Sequence, residues 1–420
     1  MVVMNILLML LLMSGLQTVA AKGQVERSSP NTETYNLPEI LSIALERNPR
    51  IEEEHGIVEQ KQGNTLSASA YSNPTIVVHS GRGSLRDPSM NTTITERYVT
   101  LSQPLEWPGT RIAQQQAAQA SVKSAQAGVE DAKLNVIAHT KKVFFDLLLS
   151  QHETALIKQN VQAMKKLKTA VHARVKAGES PPFEVIKTNV ETLKILKELL
   201  RTEGAERSAK ATLNSLTAGG LGEEFTIQGE FLSSEGDLDF TKFSKQTLST
   251  HPKLVKGQER VKEAEKRHRR ELHARVPNIT LSGSYQRDVG REAFVGGISI
   301  PIPLWNQRQG EIAKAKGVMR QEEAILLRTR TSLHQGIIQE TQKSNIAAAQ
   351  ISTYENGLLK QAQEALRIAQ VSFRYGEASL LEVLDAQRVF RETQLEYMRA
   401  KHELSVALTA LEQLTGKLND

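Results

Sequence analysis

Phe373-Arg-Tyr-Gly-Glu-Ala-Ser-Leu-Leu-Glu-Val-Leu-Asp385 breaks a long helical pattern at a glycine and starts a second helix that runs to a Leu-Thr pair. An earlier stretch, Val175-Lys-Ala-Gly-Glu-Ser-Pro-Pro-Phe-Glu-Val-Ile-Lys187, does the same. Each reads as the tip of a helical hairpin. The two align without a gap: Gly376 on Gly178, Glu377 on Glu179, Glu382 on Glu184, then Arg399 on Arg201, Leu411 on Leu213 and Thr415 on Thr217, every pair 198 residues apart (376 minus 178). A repeat of that length is a duplicated half-protein, not a short solenoid unit. Such a duplication suits a pseudo-symmetric ring or tube.

The helices that lead into the tips are long. From Thr110 to about Lys176 there is no proline and Ala, Gln, Lys and Leu dominate; Arg308 to about Tyr375 matches it. Some 65 residues make a rod of about 100 Å. A rod of that length has to pack along its sides as a coiled coil or helical tube. Small residues at Ala113, Ala117, Ala120, Ser121 and Ser124 allow neighbours to approach on more than one side, which favours a tube.

Before each rod the period changes. Thr75 to Ser80 is strand-like and Ile279 to Gln286 alternates between apolar and polar residues; the partner strands are Tyr98 to Gln103 and Phe294 to Ile300, across turn regions Gly81 to Asn91 and Arg287 to Arg291. Such stretches are what membrane barrel strands require. A small soluble hairpin in each half is the other reading of the same pattern. Each strand pair ends in a proline-rich hinge, Gln103-Pro-Leu-Glu-Trp-Pro-Gly-Thr-Arg111 and Ile300-Pro-Ile-Pro-Leu-Trp-Asn-Gln-Arg308. The hinge residues Trp107, Pro108, Gly109, Arg111, Pro301, Pro303 and Trp305 mark strand-to-helix junctions, with Gly109 or Asn306 expected to cap the next helix. Upstream, helices are expected over Leu37 to Glu46 and from Asn48-Pro49 to about Ala70. Their echoes are Phe243 to Ser249 and, after His251-Pro252, Leu254 to Ala274.

Composition narrows the function classes. The chain has 420 residues, 39% hydrophobic and 24% charged, too ordered for a disordered protein and too dilute for one compact core. Its net charge of +6 is spread over alternating signs, so nothing demands nucleic acid. Residues 1–21 read as a signal peptide, and 22–36 as a flexible or extended N-terminal arm. Beyond the leader, the longest apolar cluster, Val143 to Leu149, falls far short of the roughly 20 residues of a membrane-crossing helix. Cysteine is absent, which removes disulfides, thiolate sites and lipidation at a mature N-terminal cysteine. No two of the ten histidines have the i, i+4 spacing of a helical metal site. His268 and His273 lie in the basic run Glu265 to Arg275, which reads as a solvated face. With no nucleophile elbow, phosphate loop or dinucleotide fingerprint, neither an enzyme nor a cofactor is expected, and no metal ligands are assigned.

Four strands per chain cannot close a barrel, and open strand edges are not tolerated in lipid. Three chains would pool twelve, inside the known range for outer-membrane barrels. The physics reaches an oligomeric barrel continued by a helical tube.

The whole order of elements, given twice, resembles the TolC-type outer-membrane factor family, and the two hinge sequences are similar to its heavy-metal efflux branch typified by CzcC. The resemblance implies a mainly α fold with a membrane β-barrel portion, a channel-tunnel with four strands per protomer. It implies repeats at 37–219 and 243–418, joined by an inter-repeat linker or equatorial segment at 220–242. It also implies a homotrimer in the outer membrane of a Gram-negative bacterium, touching outer-membrane lipid, with its helical tube in the periplasm. A periplasmic membrane-fusion adaptor and an inner-membrane RND transporter are the implied partners, and divalent heavy-metal cations the implied cargo. Drug efflux or type I protein secretion on the same fold is the alternative, and a periplasmic coiled coil without a pore the remote one.

By the same resemblance Glu382 and Asp385, one turn apart, line a periplasmic constriction, with Glu184 as the first-half echo. The competing reading is that acidic residues in a first helical turn complement the helix dipole and cap its amides. Lys187 stands where a second Asp385 would be, so a fully duplicated gate is not expected. Gly178 and Gly376 are expected to take left-handed turn positions, and Glu179, Tyr375 and Glu377 beside them are the candidate adaptor contacts. The family's latch of an aromatic hydroxyl and an arginine has Phe373 and Ala378 in its place here. Any latch in this chain differs or is missing.

Overall fold

The computed structural model describes residues 33–84, 93–233, 250–288 and 291–416. The leader at 1–21, the short helix expected at 243–249 and most of the first strand-to-strand turn lie outside them. The chain runs β1 (Glu33–Tyr35), α1 (Leu37–Arg47), α2 (Pro49–Ser69), β2 (Thr75–Ser84), β3 (Thr93–Leu105), α3 (Pro108–Lys176), α4 (Phe183–Leu216) and β4 (Phe225–Ile227). The second half gives α5 (Pro252–His273), β5 (Ile279–Asp288), β6 (Arg291–Ser299), α6 (Gln309–Thr353), one π turn (Tyr354–Leu358), α7 (Leu359–Tyr375) and α8 (Leu380–Thr415).

α3 is a single helix of 69 residues, about 100 Å long. Its upper stretch lies between α2 and α5, its lower stretch between α4 and α8. The small residues permit this: Ala113, Ala117, Ala120, Ser121 and Ser124 are all buried, and Ser124 Oγ donates to the Lys256 carbonyl at 3.2 Å. The second rod differs. It is interrupted by the π turn, where Gly357 has φ 153°. Two reciprocal bonds join that turn to α8, Tyr354 to Glu396 at 3.1 Å and Tyr397 to Glu355 at 2.6 Å.

Each half gathers its own apolar cluster near mid-rod. Leu213, fully buried, packs with Ile40, Phe144, Phe145, Leu147 and Phe225; its echo Leu411, equally buried, packs with Ile337, Ala347, Leu404 and Leu408. Truncating either to alanine costs about 3–5 kcal/mol by the usual cavity penalty. Ion pairs cross from α3 to α8 at the same level, including Lys141–Glu412 at 2.7 Å with both side chains largely buried. The end of the N-terminal arm is a strand: β1 pairs in parallel with β4, so Glu33 to Tyr35 lies beside Phe225 to Ile227.

The strands form one antiparallel sheet in the order β2-β3-β5-β6. They are longer than the sequence indicates: β2 continues to Ser84 through the first residues of the expected turn, and β3 spans 13 residues. The helix starts also differ. α3 is capped by Trp107 with Pro108 in its first turn, and Gly109 lies inside the helix. α6 is capped by Arg308, and Asn306 instead accepts from the Arg308 amide at 2.8 Å.

Asn48 and His251 begin α2 and α5 in the same way. Asn48 Oδ1 accepts from the Arg50 amide at 3.1 Å, and its Nδ2 donates to the Leu216 carbonyl at 2.8 Å. His251 Nδ1 accepts from the Lys253 amide at 3.1 Å, while its Nε2 lies 3.0 Å from the Gln413 carbonyl. An amide can only donate, so Nδ1 is bare and Nε2 carries the proton. Burial, with a smaller contribution from Lys253, pushes the imidazole below its ordinary value, against smaller opposing effects of the Gln413 bond and Asp131.

The sign of the pH effect follows from that lowered value. The stability contributed by His251 is fully present above the ordinary histidine pKa of about 6.5 and is lost as pH falls through its lower folded value. Replacing it with the first-half residue, His251→Asn, is expected to keep the cap and flatten the acid limb of thermal stability. His251→Ala is expected to lose about 1 kcal/mol at neutral pH, the usual worth of a cap. Melting curves between pH 5 and 8 check both; an acid limb unchanged in the Asn variant would clear His251 of it.

Candidate functional site

Two features of this fold carry functional geometry: the sheet and the helical tips. Residues opposite one another in an antiparallel pair share a face. The register therefore puts Ile76, Val78, Val99, Leu101, Leu105, Leu281, Tyr285, Phe294 and Ile298 on one face of the sheet. The other face holds Thr75, His79, Tyr98, Thr100, Ser102, Ser282, Ser284, Gln286 and Ser299. Gln103 is a polar exception on the first face, Val77 and Val295 apolar exceptions on the second. The apolar face is uncovered, with Phe294 87% and Val78 68% exposed. It ends above at the row Arg97–Arg287–Glu292. Below, Val99 to Leu105 spans about 20 Å of strand. β2 and β6 form the sheet's two edges, unpaired among the described residues. No helix among those residues is long and apolar enough to cross a membrane.

Below the sheet lie the hinges. The Trp107 amide donates to Asn278 Oδ1 at 3.3 Å, tying the two halves together at this level. A Cβ on Gly109 would sit 2.8 Å from His273 Nδ1 and 3.0 Å from Trp107 Nε1, so any larger residue forces those rings to shift. Arg111 donates to the Ser69 carbonyl and stacks 3.4 Å from the centre of the Tyr71 ring. In the second hinge the Leu304 amide donates to the Ile302 carbonyl at 2.9 Å, a tight turn across Pro303, and Trp305 is 91% exposed.

At the other end both tips close with one backbone motif. Gly178 (φ 78°) and Gly376 (φ 81°) are left-handed. Their amides donate to the Val175 and Phe373 carbonyls, and those of Glu179 and Glu377 reach back five residues to Arg174 and Ser372, both at 2.9 Å. These bonds satisfy carbonyls that a helix end leaves open. Tyr375 and Glu377 are exposed beside the second turn.

The restarts after the turns differ. Ser379 Oγ accepts from the Glu382 amide and Glu382 Oε2 accepts from the Ser379 amide, a reciprocal capping box. In the first tip Pro181 stands where Ser379 does, and proline offers neither hydroxyl nor amide. Glu184 therefore has no box to join, and its Oε2 is buried without a partner among the described residues. Glu382 is exposed but engaged in the capping role that the alternative reading gave it. Asp385 is exposed and paired with Arg388 at 2.6 Å, while Arg388 also reaches Glu392 at 3.1 Å. The Asp385 hydrogen bond and the Coulomb attraction of Glu392 and Asp385 hold the Arg388 pKa above its ordinary value. The structure thus brings Glu382 and Asp385 together on one stretch of α8, but gives Glu184 a different setting.

Arg174 connects the tips. It donates from Nη1 to the Phe373 carbonyl at 2.8 Å, lies 4.7 Å over the Phe373 ring and is 3.7 Å from Glu179. Around it Val171, Phe373, Leu380 and Val383 form a buried cluster. Sequence reading missed Arg174. Its only local signal is a basic residue in a last helical turn.

Ser379→Ala is expected to cost about 1 kcal/mol, as the loss of an N-cap does, and to speed hydrogen exchange at the start of α8. Glu184→Gln removes a carboxylate with no partner among the described residues and is expected to change stability by no more than the roughly 1 kcal/mol of its dipole interaction. Glu184 lies in the first turn of α4, so a loss in Glu184→Gln larger than the roughly 1 kcal/mol that the helix dipole is worth in thermal melts would show that the carboxylate has a partner outside this chain.

A family model described as outer membrane efflux protein matches residues 40–219 and 243–417. The cobalt-zinc-cadmium resistance protein CzcC of Cupriavidus metallidurans is 23% identical over 387 residues, covering 90% of this chain and 89% of that protein. The outer membrane efflux protein BepC of Brucella suis is 22% identical over 315 residues, 72% of this chain and 68% of its own. Among solved structures, the CusC channel superposes with a TM-score of 0.78 at 15% identity over 91% of this chain and 92% of that one. The Vibrio cholerae outer membrane protein VceC gives 0.78 at 18% identity over 91% and 96%. The fold is that of TolC-like outer-membrane channels.

Proposed function

We propose, from the premise that this chain belongs to the outer membrane efflux protein family, that it is the outer-membrane exit channel of a tripartite pump, working as a homotrimer and exporting divalent heavy-metal cations. The observation that carries this reading is the four-stranded sheet, with one uncovered apolar face, one polar face and two open edges. An apolar face that size is costly in water and at home in hydrocarbon. Three copies joined edge to edge close twelve strands around the polar faces. The helices then continue the bore through the periplasm, and the tips meet an adaptor held by an inner-membrane RND transporter. The channel is passive, with energy supplied by the transporter.

Metal cations are the favoured cargo because the similarity to the CzcC protein covers nine-tenths of the chain. The residues fit a conduit better than a store. Among the described residues no group of three or more His, Asp or Glu is placed to hold a metal ion, and conduction calls for weak sites. Selectivity is assigned to the α8 tip, where Asp385 and Arg388 set the local field.

Purified full-length protein is expected to run as a trimer and to form cation-preferring pores in planar bilayers; a monomer that does not insert would sink the channel reading. A unit charge about 8 Å from a permeating ion is worth about 0.5 kcal/mol in water, so three copies change the permeability ratio severalfold. Asp385→Ala is expected to lower the cation-to-anion ratio and Arg388→Ala to raise it. Ratios that do not move remove this stretch from the bore. Deletion in the native host separates the cargoes: loss of Zn, Co or Cd tolerance supports metal export, whereas loss of drug tolerance alone assigns the same channel to drugs.

A further inference from the structure

We propose that the junction between sheet and helices binds a phospholipid headgroup carrying both a phosphate and a primary ammonium; this rests on the reading of the sheet as membrane-spanning. The end of β3, the last turn of α5 and the hinge after β6 surround one concavity of about 450 Å³. Arg270, Arg275 and Arg308 line it together with Glu106, Glu311 and Ile302.

The charges there are incompletely matched. Arg270 and Arg308 share a single carboxylate outside the lining, Glu271, at 2.8 Å from Arg270 Nη1 and 3.2 Å from Arg308 Nε. The exposed Arg275 side chain has no ion pair or hydrogen bond among the described residues. On the acidic side Glu311 has none either, and Glu106 accepts only from Ser72 Oγ at 3.2 Å. Uncommitted groups of both signs therefore face one space. Guanidinium suits the oxygens of a phosphate, which it can grip in two parallel bonds. A primary ammonium has three donors to offer the carboxylates.

Two independent observations point to the same place. Arg308 holds a left-handed backbone (φ 62°), one of two non-glycine residues among those described to do so. Such strain costs on the order of 1 kcal/mol and concentrates where a ligand is held. The second is apolar continuity. Ile298 lies on the apolar face of the sheet, and Ile300, Ile302 and Leu304 follow just past the strand end, all exposed, with a tight turn from Ile302 to Leu304. A solute from water would cover the charges and leave this stripe bare. A phospholipid covers both, headgroup in the concavity and acyl chains along the stripe.

The test titrates full-length protein in detergent with phosphatidylethanolamine, phosphatidylglycerol or phosphatidylcholine and counts bound lipid by native mass spectrometry. Phosphatidylglycerol lacks the ammonium, and the choline headgroup has no N–H to donate. The ethanolamine lipid is expected to bind about tenfold more tightly than either, the worth of a charged hydrogen bond. Arg275→Gln is expected to weaken ethanolamine and glycerol lipids alike by about tenfold, and Glu311→Gln the ethanolamine lipid alone. Equal retention of the three lipids by the unaltered protein overturns the proposal, as does unchanged binding in Arg275→Gln. The membrane reading fails separately: a chain that inserts into no bilayer overturns that reading, whereas insertion with equal lipid retention overturns this inference alone.

Discussion

The backbone groups along the free edges of β2 and β6 impose the constraint on which the rest of the structure depends. Hydrocarbon offers no water to satisfy an unpaired amide or carbonyl, each of which would cost several kcal/mol. A sheet of four strands with an uncovered apolar face can therefore enter lipid only if each edge meets the opposite edge of another copy. The hinges sit where this chain's strands end. Pro104, Pro108, Pro301 and Pro303 withhold amides there and let extended chain become rod. The rods follow directly from the strands above them, so under the proposed assembly a ring of strands would become a ring of helices.

Duplication supplies this architecture twice, and its departures from symmetry show where local chemistry has diverged. Leu213 and Leu411 hold equivalent places in two separate cores, and both tips close with the same left-handed glycine and the same five-residue back-bond. The helix starts have drifted. Asn48 and His251 perform one capping task, but only the imidazole can titrate. Ser379 completes a capping box that Pro181 makes impossible, which leaves Glu184 with an unpartnered oxygen. The first rod is unbroken and the second carries a π turn joined to α8 by two tyrosines. The first half is the plainer scaffold, and the second carries the titratable cap, the acidic tip and the interrupted rod.

Much of this was legible because it depends on neighbours in sequence. Gly178 and Gly376 announce left-handed turns, alternation at Ile279 to Gln286 announces a two-faced strand, and the prolines announce the hinges. The exact helix caps were not legible: Gly109 was expected at a cap position, yet it lies inside α3, where the His273 ring crowds it from another helix. Strand ends were underestimated because pairing with β3 extends β2 beyond its own apolar pattern. Arg174 was invisible for the same reason, since its partner Phe373 is 199 residues away. The β1–β4 pair was hidden likewise, its three-residue strands having no pattern of their own.

The acidic tip shows why residue type alone does not settle a role. Glu382 spends one carboxylate oxygen on the Ser379 amide, at the positive end of the helix dipole, so its field toward solvent is reduced. Asp385 is balanced by Arg388, but that guanidinium also serves Glu392. One cation between two carboxylates leaves a residual negative charge in each chain. Its position depends on which carboxylate the arginine favours, and both pairs are exposed, where such bonds are weak and exchange readily. The local charge at this tip is therefore a property of Asp385, Arg388 and Glu392 together. Under the proposed channel reading, such a tip would draw cations without offering them a fixed ligand set, the balance that conduction requires.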